Sequence, residues 1–269
     1  SFSELQRVNA LDKIGTGIEE LDIALGGGLA RGCLGIWLAG LSKGKSMCLC
    51  TGSASALKLG VSVAYATLEM SSIKVLARVK AALTGVPIDA LLAGHGIPEA
   101  QEKLRVLLPT IGSFVVQDFV PKITTAIDII NWVKEAENQT KRRIDLVMVD
   151  YADRLGSHIG RENENEYRAM GTVYEALRNY AKATNRWVWS ASQAKRRSVQ
   201  DRGGRIEADD VADSLNKARI CDVMISINPD PDNTTVRYFI TRNRDGRSLI
   251  EVGPIPHAFE LGRMSLWSQ

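Results

Sequence analysis

The run Ala39-Gly40-Leu41-Ser42-Lys43-Gly44-Lys45-Ser46 packs glycines, lysines and hydroxyls into eight residues, a combination suited to gripping a phosphate chain. Gly44 lets backbone N–H groups curl around a β-phosphate. Lys45 reaches β and γ oxygens, and Ser46 offers a ligand to Mg²⁺. Gly40, Ser42, Lys43 and Met47 complete the predicted contact set for ATP with Mg²⁺. Ala39 stands where a strict Walker A pattern has its first glycine, with Gly40 beside it. The alternative is a turn without a ligand. An apolar run before the loop and a helical pattern after it argue for the phosphate site.

Two acids could serve the same chemistry. Asp150 closes the apolar run 144–149, the form of a Walker B strand whose carboxylate holds the water shell of a metal. An aspartate ending a strand is also a common turn former, and only the phosphate loop weights it toward the metal. Glu69 follows another long apolar run, where it could orient or deprotonate an attacking water. An acid near a helix start equally suits the helix dipole. Spacing leaves both readings of Glu69 open.

The elements that must position these residues follow from the pattern of apolar runs. Runs at 34–39, 61–68, 113–117, 144–150 and 187–192 alternate with helical patterns at 46–59, 73–83, 124–136 and 166–183. Strands apolar on both faces, joined by helices, imply a mostly parallel sheet flanked by helices. Two late runs, 223–228 and 236–241, joined through Asn228-Pro229-Asp230-Pro231-Asp232-Asn233, read as an appended antiparallel hairpin. Met170, Val173, Leu177 and Tyr180 form an ordinary core stripe, and Trp37, Trp187 and Trp189 lie on strands and belong to the core.

With 269 residues, 45% of them hydrophobic and 24% charged, the chain can bury a full core, and no polar linker divides it. The expected layout is an N-terminal extension or linker remnant at 1–13 and one ATPase domain at 14–269. A formal charge of +3 does not by itself imply nucleic acid. Cys33, Cys48, Cys50 and Cys221 show no C-x-x-C pair, so they read as reduced core residues. His95, His158 and His257 lack metal-ligand spacing. No run reaches the ~18 apolar residues of a membrane span, and an apolar leader is missing, so the expectation is a cytoplasmic protein. The chain starts at Ser1 rather than methionine, which fits a trimmed product or a piece of something longer.

Together these motifs make the chain similar to the ATPase domain of the hexameric replicative DNA helicases of the DnaB family, within the RecA-like P-loop ATPases. The resemblance runs from about Ile14 to Val252. It rests on alanine at the first Walker A position, Leu68-Glu69-Met70-Ser71, Arg78 before Thr84-Gly85-Val86-Pro87, Val149-Asp150-Tyr151, Ser190-Ala191-Ser192-Gln193 and Arg242-Asn243-Arg244-Asp245-Gly246. The resemblance implies a catalytic Glu69, a metal-binding Asp150 and a γ-phosphate sensor at Gln193. It also implies Arg78 and Arg242 near nucleotide, and Arg244 as an arginine finger serving a neighbour's ATP. Arg242 stands where the family usually has lysine. The implied assembly is a hexameric ring travelling 5′ to 3′ on single-stranded DNA, with a primase or loader as further partners.

Lys195, Arg196, Arg197, Arg202 and Arg205 crowd one stretch with Gly203-Gly204, a composition that suits backbone phosphates of a single strand. The stretch 154–168, with His158 and Arg161, is a second basic candidate, diluted by glutamates. Lys141-Arg142-Arg143 reads as a solvated face. Two other functions share the core: a recombination or repair ATPase that forms filaments, and a circadian-clock-type ATPase whose nucleotide sets assembly. The basic stretch argues against the latter.

Overall fold

A computed structural model describes residues 12–157, 166–194 and 215–266 of the chain. Eight strands form one sheet: β3 (Leu34–Ala39), β4 (Val63–Thr67), β5 (Phe114–Asp118), β6 (Leu146–Asp150), β7 (Trp187–Gln193), β8 (Val223–Pro229), β9 (Thr235–Asn243) and β10 (Ile250–Pro256). Their order is β10-β9-β8-β3-β7-β6-β4-β5. Neighbours from β8 through β5 run parallel, and β9 and β10 are antiparallel additions. A separate ribbon pairs β1 (Lys13–Ile14) with β2 (Leu29–Ala30). The fold is therefore the expected mostly parallel α/β sheet, and the late hairpin is β8 with β9, of which β8 still runs parallel to β3.

The helices are α1 (Glu19–Ala24), α2 (Lys45–Lys58), α3 (Ser72–Thr84), α4 (Ile88–Leu92), α5 (Ile97–Leu107), α6 (Ala126–Thr140), α7 (Glu166–Thr184) and α8 (Leu215–Ile220). Four of them match the helical patterns within a few residues. Helix α6 starts later than its pattern because Thr125 caps it: its hydroxyl accepts from the Asp128 N–H while Asp128 Oδ2 accepts from the Thr125 N–H at 2.8 Å.

Burial on both faces explains the unbroken apolar strands. Along β3 successive side chains alternate between two cores. Trp37 and Ala39 join Leu49, Tyr65, Met148 and Trp189 beneath α2 and α3. Leu34, Ile36 and Leu38 join Val147, Val149, Tyr174 and Leu177 beneath α6 and α7. Trp37 stacks on Trp189 with centroids 5.2 Å apart, so the strand tryptophans are core residues as expected. Gly35 makes that pair fit, since a Cβ there would lie 2.5 Å from the Trp189 ring. Cys48, Cys50 and Cys221 are buried free thiols, and burial raises Cys50 and Cys221 each to about 12. Among the described residues no metal-ligand cluster exists, and no helix is long and apolar enough to cross a membrane.

Candidate functional site

The parallel register puts the carboxyl ends of β3, β4, β6 and β7 along one edge of the sheet, where the loops that follow can meet. Residues 40–44 turn from β3 into α2. Gly44 carries this turn with φ +93°, and Ser42 also takes a left-handed conformation at φ +57°. Side chains at 42–47 form one wall of a cleft of about 410 Å³. Glu69, Met70, Lys74, Arg78 and Phe259 line the remainder.

Within the loop, Lys45 folds back and donates to Gly40 O at 2.8 Å and to Ala39 O at 3.4 Å. Burial pulls its pKa down, while the charges of Glu69, Asp150 and Asp153 oppose that shift. Asp150 is wholly buried at the end of β6. Tyr65, one strand over on β4, donates its hydroxyl to Asp150 Oδ2 at 2.7 Å. Oδ1 has no hydrogen-bond partner. Burial raises the Asp150 pKa despite the Tyr65 and Ser46 hydroxyls, which favour the anion; Ser46 does so from outside hydrogen-bonding geometry. A desolvated carboxylate with an unmatched oxygen beside a hydroxyl fits a hard cation with oxygen ligands.

Gln193 ends β7 next to these groups. Its backbone N–H donates to Asp153 Oδ2 at 3.0 Å, and its Oε1 accepts from the Tyr151 hydroxyl at 3.2 Å. Asp153 also accepts from Tyr174 and from Lys217 of α8, each at 2.6 Å, so the end of β7 sits on a dense polar network. Glu69 lies beyond the end of β4, its carboxylate 3.7 Å from Arg154 Nη2.

The structure thus gathers Gly40, Ser42, Lys43, Gly44, Lys45, Ser46, Met47, Glu69, Arg78, Asp150 and Gln193 at one edge. Arg242 and Arg244 are elsewhere. Arg244 Nη1 pairs with Asp222 Oδ1 at 3.1 Å, and Asp222 Oδ2 accepts the Leu34 N–H at the start of β3. Arg244 is therefore at the end of the sheet opposite its own phosphate loop, a β3 length of about 20 Å away. Arg242, on the same strand, buries a partnerless Nε. Lys195, Arg196, Arg197, Arg202 and Arg205, with His158 and Arg161, lie outside the described residues.

Sequence reading missed Tyr65, Phe259 and the segment that carries Met264. After β10 the chain returns to the phosphate loop: a Cβ on Gly44 would meet Met264 at 3.3 Å, and the Met264 N–H donates to Thr51 Oγ1 on α2 at 3.1 Å. Only Tyr65 had a local signal, as the aromatic hydroxyl in an apolar run.

A phosphate loop after the first parallel strand, with an acid at the end of a non-adjacent strand, defines a RecA-like P-loop ATPase fold. Two solved structures share it: "ATPase Domain of G40P", with TM-score 0.81, 17% identity and coverage of 99% of this chain and 96% of that one; and "The Structure Of A DnaB-Like Replicative Helicase And Its Interactions With Primase", with TM-score 0.82, 16% identity and coverage of 99% and 67%. The model of the DnaB-like helicase C terminal domain matches residues 13–252, and the chain belongs to that family. It is 25% identical over 228 residues to a DnaB-like replicative helicase of Enterobacteria phage T4, covering 83% of this chain. It is 26% identical over 254 residues to a probable plasmid replicative DNA helicase of Chlamydia trachomatis serovar L2, covering 91%. The chain spans about half the length of these relatives, 47% and 53%.

Proposed function

We propose that the chain is the ATP-hydrolysing motor domain of a replicative DNA helicase, residues 14–269 forming the domain and 1–13 an extension leading into it. The observation that carries this is that Lys45, Ser46 and Glu69 line one cleft while Asp150 and Gln193 end the strands that lie between theirs, in a chain of the DnaB-like helicase family.

In this reading, rotation of Lys45 away from Gly40 O frees its ammonium for the β and γ oxygens of ATP. Ser46 and the unmatched oxygen of Asp150 would hold Mg²⁺, which would supply neutralisation of the charge on the phosphates. Glu69 takes a proton as water attacks the γ-phosphorus. The new O–P bond forms while the bond to the bridging oxygen breaks, and ADP leaves with that electron pair. Gln193, held by Asp153 and Tyr151, reports the γ-phosphate to β7. Phe259 on the cleft wall offers an apolar surface to the nucleotide.

Arg244 lies about 20 Å from its own phosphate loop, which supports service to a neighbouring subunit and hence a homo-oligomer, of which a hexameric ring is the family form. Single-stranded DNA is the track, with the stretch 195–205 supplying phosphate contacts. A primase or loader is a further partner, in line with the complex named for one structural neighbour.

The test is ATP hydrolysis by the purified chain with and without single-stranded DNA at two salt concentrations, with Lys45→Ala as blank. Stimulation by DNA that weakens with salt is the expected result. Hydrolysis indifferent to DNA under every condition, with assembly set by nucleotide alone, would overturn the motor reading in favour of a regulatory ATPase.

A further inference from the structure

Strand β6 lies between β7 and β4, so residues leaving its end can touch both the sensor on one side and the acid on the other. Arg154 leaves from a short 3₁₀ turn (Ala152–Arg154) that is pinned at several points. The Ala152 N–H donates to Ser190 Oγ at 3.0 Å, the Arg154 N–H to Tyr151 O at 3.0 Å, and the Lys122 N–H to Arg154 O at 2.7 Å. The guanidinium carbon lies 5.5 Å from the Tyr151 ring centroid, and Nη2 lies 3.7 Å from Glu69 Oε1. On the far side of Tyr151, the hydroxyl reaches Gln193. The ring also carries Lys45 Nζ at 5.6 Å.

We propose that Arg154, braced on Tyr151, positions the Glu69 carboxylate and ties it to the Gln193 sensor. The proposal rests on the reading of Glu69 as the base. A glutamate in an exposed turn has three freely rotating side-chain bonds, and a base must hold one oxygen toward water within hydrogen-bond reach. Pairing through Oε1 leaves Oε2 available as the proton acceptor. Lys45 does not provide this contact, because its ammonium is engaged by Gly40 O and serves phosphate in the proposed mechanism. A partly exposed pair contributes little to folding, and a planar guanidinium supplies orientation that a point charge cannot. The Arg154 Nε is buried and without an acceptor, so the group is held by its anchored turn and the ring rather than by a full set of hydrogen bonds.

The experiment measures kcat and KM for ATP, and the dissociation constant for a fluorescent ADP, in the whole chain with saturating single-stranded DNA. The variants are Arg154→Ala, Arg154→Lys and Glu69→Gln. A misdirected base costs on the order of tenfold or more in rate. Arg154→Ala is expected to lose about that much kcat, with ADP affinity changed less than about twofold, and Arg154→Lys to recover part of the loss. Unchanged kcat in Arg154→Ala, a loss mirrored in KM and ADP affinity, or a lysine no better than alanine overturns the positioning role. Wild-type kcat in Glu69→Gln strikes instead at the assignment of Glu69 as base.

Discussion

Asp150 and Asp222 are both buried aspartates at strand ends, on opposite edges of the same sheet, and their surroundings differ. Asp222 is 2% exposed and both its oxygens are occupied: Arg178 donates from Nε and from Nη2, the latter at 3.0 Å, Leu34 donates its N–H at 3.0 Å, and Arg244 pairs at 3.1 Å. Asp150 is 0% exposed and keeps one oxygen unmatched. An unmatched buried acceptor costs about 1–3 kcal/mol. The filled site locks β8 to β3 and α7, whereas the unfilled one carries a stability cost that a ligand would remove. Inside one sheet, completeness of the hydrogen-bond shell separates the carboxylate that holds the fold from the one with an oxygen left open.

The two carboxylates are separable by substitution at either edge of the sheet. The largest effects are expected on turnover: Lys45→Ala and Arg244→Ala should each cost roughly 10³-fold in hydrolysis, although they lie at opposite ends of the sheet. Mixing Arg244→Ala with Lys45→Ala subunits should restore part of the activity if each site draws on two chains, and the mixed ATPase rate checks it. Wild-type turnover by Arg244→Ala alone would remove the shared site. Next comes Asp222→Ala, which strands Arg178 and the Leu34 N–H and should lower unfolding stability by about 3–5 kcal/mol in urea titration. Arg244→Ala, whose side chain is 40% exposed, should change that stability by less than about 1 kcal/mol. The smallest and most telling change is Asp150→Asn without Mg²⁺. Neutralising the carboxylate should leave thermal stability equal or raise it by up to about 1 kcal/mol, while Mg²⁺-dependent hydrolysis is lost.

Much of the cleft is legible in the sequence because its signals are local. Gly44-Lys45-Ser46 must follow a strand and open a helix, and the apolar run ending in Asp150 needs no distant information. Strands β3, β4, β6 and β7 show as apolar runs since both their faces are covered. Strand β10 is hidden by Gly253, Pro254 and Pro256, which read as loop residues, and its ladder with β9 shifts register between Val252 and Ile255. Helices α4 and α5 carry few buried residues, Leu91 and Ala100 among them, so their periodic signal is weak. Tyr65 on Asp150, Arg154 on Glu69 and Met264 against Gly44 are contacts between distant segments. No spacing rule encodes them.

The return of the chain to the phosphate loop after β10 also sets an order in time. Gly44 and its neighbour Met264 are separated by 220 residues, and the Thr51 hydroxyl that accepts the Met264 N–H donates in turn to Gly262 O at 3.2 Å. At a synthesis rate of about 5–20 residues per second, the loop waits roughly 10–40 s on the ribosome before the segment that backs it exists. During that interval a nascent chain has the phosphate-gripping sequence without its packing partner, so competence to hold nucleotide should arrive late in synthesis.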